Sequence, residues 1–356
     1  MPTLMIYGAN GYSGEMIARE AKKRGVRPVL AARAAAAVQS LASELKFNSR
    51  AFDLADAASI DLSDIDVVLN CAGPFSKTAE PMISACINAG VHYLDITGEI
   101  SVFAHAHSQS TQAKAAGVVL CPGVGFDVVP TDCLTALLKH ALPSATDLVL
   151  AFDGGGGMSR GTAKTSVEGL KSGGMARIDG KMTPVPLAWQ IRQFEFAPGR
   201  MRSAMTIPWG DVYTAFVSTG IPNIKVFMAL PKSAISSARR LRWLVPILGL
   251  APIQSFLKWR INQRAPGPNE VLRDKTRSYV IGTATAPSGE SVSGRVETPN
   301  GYSLTVDAAL TIAQFVLDGV GKKSGYQTPS MLCGPELLER LHATEVEIGP
   351  VAQVSS

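Results

Sequence analysis

The sequence predicts an α/β protein in which a Rossmann-type doubly wound parallel sheet is joined to a second α+β domain built on a mixed or antiparallel sheet. Three observations predict it. Short apolar runs alternate with helix-periodic segments through the first third of the chain, the pattern of a parallel sheet with crossover helices. A glycine-rich turn stands between the first apolar run and the first helical segment. After Pro122 the texture changes, with Asp153-Gly154-Gly155-Gly156-Gly157 as a flexible turn and a stretch rich in Gly, Pro and Arg from Lys171 to Pro222.

Strands are expected at 3–7, 28–32, 49–52, 66–70, 91–95 and 117–121. Between them, Gly14 to Lys23, Val38 to Leu45 and Pro81 to Ala89 place apolar residues at helical spacing, so each covers one face of the sheet. In the second domain the clearest strands are 146–152, 212–218, 277–286 and 291–298, the last two forming a hairpin about Pro287-Ser288-Gly289. A helix is expected from Arg160 to Leu170 and another from Leu304 to Leu317, the latter returning to the first domain. The boundaries read as 1–125 for the dinucleotide-binding domain, 126–303 for a substrate or dimerisation domain and 304–356 for the returning segment. A chain of 356 residues suits two such domains at roughly 150 residues each.

The chain is 46% hydrophobic and 18% charged, which makes it globular and somewhat apolar rather than disordered. Its formal net charge of +5 is spread along the sequence apart from one stretch, which argues against nucleic acid and suits an anionic cofactor or substrate. Cys71, Cys86, Cys121, Cys133 and Cys333 fit neither a disulfide framework nor a zinc site, and a reducing cytoplasm is the plain expectation. No secretion signal is recognised at the N-terminus, and no run of about 20 apolar residues offers a membrane span.

In Gly8-Ala9-Asn10-Gly11-Tyr12-Ser13-Gly14, glycines recur at i, i+3 and i+6 between a strand and a helix. Gly8 permits the tight turn, Gly11 lets the backbone approach a pyrophosphate, and Gly14 lets helix pack on strand. The helix N-terminus then offers N–H groups to phosphate oxygens. Where an NAD enzyme carries an acid at the end of the second strand, this chain reads Leu30-Ala31-Ala32-Arg33. A guanidinium cannot accept the ribose 2′-hydroxyl proton but pairs with a 2′-phosphate, so Arg33 favours NADP(H). Ala34 to Ala37 add no donor, leaving Asn10 or Tyr12 to assist.

Several Rossmann chemistries are excluded. None of the seven tyrosines has a lysine four residues on, which removes the Tyr-x-x-x-Lys pair of short-chain dehydrogenases. No histidine falls at ligand spacing from a cysteine, so no metal site is expected.

Three segments remain: Asn70-Cys71-Ala72-Gly73-Pro74-Phe75, Tyr93-Leu94-Asp95-Ile96-Thr97-Gly98-Glu99, and Pro122-Gly123-Val124-Gly125-Phe126-Asp127 running on to Asp132. With the glycine turn, Ser159-Arg160-Gly161-Thr162 and Gly325-Tyr326-Gln327-Thr328-Pro329, they resemble the saccharopine dehydrogenase-like oxidoreductases, especially the trans-acting enoyl reductase branch. The likeness covers nearly the whole chain but does not specify a substrate. It implies an NADPH-dependent oxidoreductase that reduces an enoyl or imine double bond of an apolar or acyl substrate. A saccharopine reductase and a non-catalytic NADP-binding regulatory protein are the alternatives.

Ala72, Gly73 and Pro74 follow a strand end, where their small residues would let the nicotinamide ribose lie against the backbone. Asp53 would close the adenine side or cap the next helix. Asp95, Glu99 and Asp127 fall near strand ends on the nicotinamide side, with Glu99 and Asp127 taken forward for acid–base work; Asp95 and Asp127 also suit helix caps. Arg160 and Thr162 begin a helix and suit a carboxylate, thioester carbonyl or phosphate of the substrate, or else are a surface charge and a cap. Arg177, Arg192, Arg200 and Arg202 show no convergence by spacing. The apolar run 243–257, flanked by Arg239, Arg240 and Arg242 and by Lys258, Arg260 and Arg264, suits peripheral membrane contact, with burial between domains or in a homodimer as the other fates. Pro246 and Pro252 would break it into two short helices.

Overall fold

A computed structural model describes residues 2–169, 173–242, 250–263, 265–321 and 323–353, and these form two compact units. The first holds Met1–Val129 and Tyr302–Gly334, the second Pro130–Gly301 and Pro335–Ser356. In the first unit the chain runs β1 (Leu4–Tyr7), α1 (Tyr12–Lys23), β2 (Val29–Ala32), α2 (Ala35–Leu45), β3 (Ser49–Ala51), β4 (Val67–Asn70), α3 (Phe75–Ala89), β5 (His92–Asp95), α4 (Ile100–Ser108), α5 (Ser110–Ala115) and β6 (Val119–Cys121). These strands pair in parallel in the order β6-β5-β4-β1-β2-β3. Every residue of β1, β2 and β4 is buried, because helices cover both faces of a parallel sheet. The helices meet that demand with apolar stripes: Ile17, Ala18 and Ala21 on α1, Val38, Leu41, Ala42 and Leu45 on α2, and Ala79, Met82, Ile83 and Cys86 on α3.

The second unit begins with α6 (Val129–Ala141) and continues β7 (Asp147–Asp153), α7 (Arg160–Gly169), β8 (Gly174–Ile178), β9 (Lys181–Val185), β10 (Ile191–Glu195), β11 (Met201–Thr206), α8 (Asp211–Thr219), β12 (Asn223–Ala229), α9 (Lys232–Leu241), α10 (Ala251–Asn262), α11 (Glu270–Lys275), β13 (Arg277–Thr285) and β14 (Glu290–Pro299). The chain then returns to the first unit as α12 (Gly301–Leu317), β15 (Gly325–Tyr326) and α13 (Pro329–Cys333), where β15 extends the parallel sheet beside β6. It finishes as β16 (Glu345–Ile348) and β17 (Ala352–Gln353) on the second sheet.

That second sheet is mixed. Its central strand β7 pairs parallel with β12 and antiparallel with β13, while the hairpin β13–β14 turns where Gly289 N donates to the Ala286 carbonyl at 3.0 Å. Gly282 and Gly294 leave room for Leu134 of α6, which would lie 3.2 and 2.8 Å from a Cβ at each. Ala151, Phe196, Ala204, Phe227 and Ala229 form a second core cluster, in which Phe194 meets Phe227 edge-on at 5.2 Å.

The structure corrects two expectations and adds strands that the sequence does not announce. Residues 212–218, whose β-branched and aromatic content suggests a strand, lie in α8, because Asp211, Val212, Thr214 and Ala215 share one buried helical face and Gly220 ends the helix in the left-handed region. The Gly-, Pro- and Arg-rich stretch contains four strands, β8 to β11. Finally, 304–356 does not return whole: from Pro335 onward the chain joins the second unit, where the alternating Glu345-Val346-Glu347-Ile348 adds an edge strand.

Gly14 is the tightest point of the first unit. A Cβ there would collide with the Gly8 carbonyl oxygen and lie 2.9 Å from Ala9 Cα, both backbone atoms that cannot step aside. Gly14→Ala is therefore expected to destabilise the protein by roughly 1–3 kcal/mol, an overpacking penalty measurable as a lower midpoint in urea. An unchanged midpoint would show that the turn relaxes around a methyl group.

Candidate dinucleotide site of the first unit

Strand order reverses between β1 and β4, and ligands of doubly wound sheets bind outside the strand ends at that point. The register sets Tyr7 opposite Asn70, and Cys71 N donates to the Tyr7 carbonyl at 2.7 Å. Gly8, which follows Tyr7, and Ala72, two residues after Asn70, are thereby pressed together. Gly8 has φ +80°, and a Cβ on it would lie 2.7 Å from Ala72 N. Only glycine meets both conditions.

At Gly11 the situation differs. It is the N-cap of α1, makes no side-chain cap bond, and its own Cβ would meet only the Gly8 carbonyl oxygen at 3.2 Å. The space outside Gly11 is thus open, and no side-chain cap bond forms at this helix N-terminus, which suits a pyrophosphate. Asn10 is exposed beside it and borders a depression of about 230 Å³ that Ala37 and Ser40 of α2 also line. Tyr12 stacks edge-on with Tyr302 at 5.2 Å, and Ser13 lies in the first turn of α1.

Arg33 is exposed just beyond β2, and no ion pair among the described residues engages it. Arg19 of α1 is held by Glu44 at 2.6 Å and Glu15 at 2.8 Å. Arg33 is open to a phosphate. Burial pushes the Tyr7 hydroxyl up, Asp53 adds to the effect and Arg33 opposes it, so Arg33 and Asp53 gather at one corner of the sheet. Asp53 Oδ1 accepts from Ala55 N at 3.0 Å; the cap of the following short 3₁₀ turn is Asp56 instead.

On the far side of the switch point the loops are tied by a buried polar chain. Asn70 donates to Thr78 Oγ1 and to the Tyr93 hydroxyl, each at 3.3 Å, and its Oδ1 accepts from Ala72 N at 3.0 Å. Tyr93 donates to Asp95 Oδ2 at 2.8 Å, and Asp95 Oδ1 accepts from Thr97 N and Gly123 N, both at 2.9 Å. Asp95 is fully buried, and desolvation raises its carboxyl to about 6 against the opposing pull of these bonds. Its oxygens are occupied by the protein, so it fixes loops and does not face substrate.

Glu99 also acts on the scaffold. Its Oε1 accepts from Phe75 N at 3.0 Å and its Oε2 from Ser76 N at 2.9 Å, which places a carboxylate on the first N–H groups of α3, just after Ala72-Gly73-Pro74. Asp127 is half-buried. It lies over Gly98, where a Cβ would come 2.9 Å from Oδ2, and burial raises its carboxyl to about 7.

The second unit holds Arg160 and Thr162 at the start of α7. The cap there is Ser159, whose Oγ accepts from Thr162 N at 3.2 Å and lies 3.1 Å from Thr162 Oγ1. Arg200 and Arg202 do converge, but on the buried Asp153, at 2.8 and 3.4 Å. Arg177 is buried and spends its guanidinium on the carbonyls of Val212 and Gly180, over the ring of Phe216. Of the run 243–257, residues 243–249 lie outside the described residues, Leu250 is the N-cap of α10 and 251–257 belong to α10. No helix among the described residues is long and apolar enough to cross a membrane, and no group of three metal-ligating side chains occurs among them. No disulfide joins the five cysteines, all of which are among the described residues.

A parallel sheet in this order with a glycine turn at its switch point defines a dinucleotide-binding domain of the Rossmann type, here carried with a mixed-sheet unit. Residues 4–121 match the family model described as saccharopine dehydrogenase NADP binding domain, and NADP(H) is the cofactor this match supports. The human saccharopine dehydrogenase-like oxidoreductase is 29% identical over 196 residues, covering 47% of this chain and 46% of that protein. A trans-acting enoyl reductase of Mycobacterium tuberculosis H37Rv is 28% identical over 189 residues, 48% of this chain and 44% of that one. The chain thus aligns with somewhat under half the length of these curated relatives. In fold it is similar to the L-Glu-forming saccharopine dehydrogenase of Saccharomyces cerevisiae, with TM-score 0.66 and 12% identity over 98% of this chain and all of that one.

Gly11→Val is expected to abolish NADPH binding while the protein stays folded, since its side chain would enter the open space at the α1 N-terminus. Titration of cofactor fluorescence alongside a circular dichroism spectrum checks this. A folded variant with parental affinity would place the pyrophosphate elsewhere.

Proposed function

We propose that the protein is an NADPH-dependent reductase of a polarised double bond, of enoyl or imine type, in an apolar or acyl substrate. The observation that carries this reading is Asp127. It is an acid at the carboxyl end of the parallel sheet with a carboxyl raised to about 7, near the value at which a group both holds and releases a proton at neutral pH. NADPH, when bound, supplies the hydride. The chain's part is to orient the cofactor, exclude water and deliver a proton to the atom opposite the one reduced.

In this reading Gly8, Asn10, Gly11, Tyr12, Ser13 and Gly14 hold the pyrophosphate, with Arg33 at the 2′-phosphate and Asp53 beside the adenosine. Ala72, Gly73 and Pro74 border the nicotinamide ribose. Glu99 keeps the α3 N-terminus in place, and Asp127 Oδ holds the proton. Arg160 and Thr162 are assigned to the acyl carbonyl or carboxylate. The names of the mycobacterial and human relatives support a reductase or oxidoreductase role. The commitment of Arg177 to backbone carbonyls and of Arg200 and Arg202 to Asp153 speaks against a saccharopine pocket, which needs several arginines free for carboxylates. A non-catalytic NADP-binding protein would have no use for a carboxyl poised near neutrality.

Because the protonated form donates, the rate should be highest below pH 7 and fall as pH rises through about 7. Asp127→Asn is expected to lower kcat by about 10²–10⁴ and to remove that pH dependence while leaving NADPH affinity unchanged. Absorbance assays with enoyl thioesters and cyclic imines read this directly; a variant with parental kcat and pH profile would remove Asp127 from the chemistry.

Arg33→Asp is expected to cost NADPH affinity roughly ten- to hundredfold, the weight of one charge-assisted hydrogen bond, while sparing NADH. Equal affinity of the parent protein for both cofactors would contradict the assignment of Arg33.

A further inference from the structure

One helix of the second unit shows water a face that soluble helices ordinarily hide. α10 turns Gln254 and Ile261 inward, and Gln254 Nε2 donates to the Val167 carbonyl of α7 at 2.9 Å. Its outward stripe is Pro252, Phe256, Trp259 and Gln263, at helical spacing. Phe256 and Trp259 are each 56% exposed and stack on one another with centroids 6.0 Å apart. Leu250 at the start of the helix is 54% exposed and Met158 is 55% exposed. Met158 and Phe256 edge a mainly apolar groove of about 350 Å³ that Val167, Leu257, Ile261 and Arg260 also line.

The charge along this stretch of the sequence is of one sign. Between Asp211 and Glu270 the sequence contains no acidic residue at all, whereas Lys232, Arg239, Arg240, Arg242, Lys258, Arg260 and Arg264 fall within that interval. α9 carries Arg239 and Arg240 in its last turn, and α10 carries Lys258 and Arg260 beside its aromatic pair.

We propose that this face docks the protein on an anionic lipid bilayer. Phe256, Trp259 and Leu250 enter the boundary between head groups and acyl chains, where tryptophan is favoured, and the surrounding cations meet lipid phosphates. A symmetric contact between two copies would set these cations against each other. Nucleic acid would use the cations and the aromatic pair but gains nothing from exposed Leu250 and Met158.

Flotation of the full-length protein with vesicles of phosphatidylcholine alone, or mixed with phosphatidylglycerol, tests the proposal at low and high salt. Binding is expected to the mixed vesicles and to weaken at least about tenfold on neutral vesicles or in high salt. Phe256→Ser/Trp259→Ser and Arg239→Glu/Arg240→Glu should each lower partition at least about tenfold while retaining parental NADPH affinity, which reports that the chain is folded. Absence of flotation with either vesicle would overturn the proposal, as would flotation that neither double variant reduces. A lipid-free dimer in light scattering that Phe256→Ser/Trp259→Ser dissociates would also overturn it and assign the face to a second copy.

Discussion

The close approach of the β1–α1 turn to the β4–α3 loop is the constraint on which the first unit depends. Parallel pairing of β1 with β4 in a register that sets Tyr7 opposite Asn70 leaves no room between Gly8 and Ala72 for a side chain. Gly14 then allows α1 to lie against Gly8 and Ala9, which aims the uncapped helix N-terminus past Gly11 into open space. One steric requirement thus fixes strand register, helix placement and the anion cradle together. The side chains that would fill the cradle are those that the packing forbids or that would compete with phosphate.

The other strand ends are held by polar bonds rather than by contact. Asn70, Tyr93 and Asp95 link β4 to β5, and Gly123 N brings the loop after β6 onto the same carboxylate. A buried carboxyl costs free energy unless its oxygens are satisfied, and here three donors satisfy it. Glu99 performs a similar service for α3. Asp127 lies beside these loops over Gly98, and burial raises its carboxyl to about 7.

Much of the first unit is legible from residue order. Strands covered on both faces must be apolar throughout, and helices between them must be amphipathic, so β1, β2, β4 and β5 and their helices announce themselves. The glycines do too, because their spacing encodes a local geometry. Strands β8 to β11 are not legible: Pro184 interrupts β9, and β10 reads Ile191-Arg192-Gln193-Phe194-Glu195 with most of its residues exposed. They pair as two hairpins, β8 with β9 and β10 with β11, whose strands lack a clear apolar alternation. α8 is misread because its β-branched residues are overruled by burial of one helical face. In the site, Asp95 and Glu99 look like reagents in sequence because nothing there shows that Gly123 N and Phe75 N will reach them across 28 and 24 residues.

The central claim is that the first unit binds NADPH with its pyrophosphate over Gly11 and its 2′-phosphate on Arg33. A crystal structure of the NADPH complex measures this most directly. The account predicts pyrophosphate oxygens within hydrogen-bonding distance of backbone N–H groups of the Gly8–Gly14 turn and the 2′-phosphate paired with the Arg33 guanidinium. A complex in which the 2′-phosphate faces solvent away from Arg33, or in which the pyrophosphate lies off the α1 N-terminus, would contradict it.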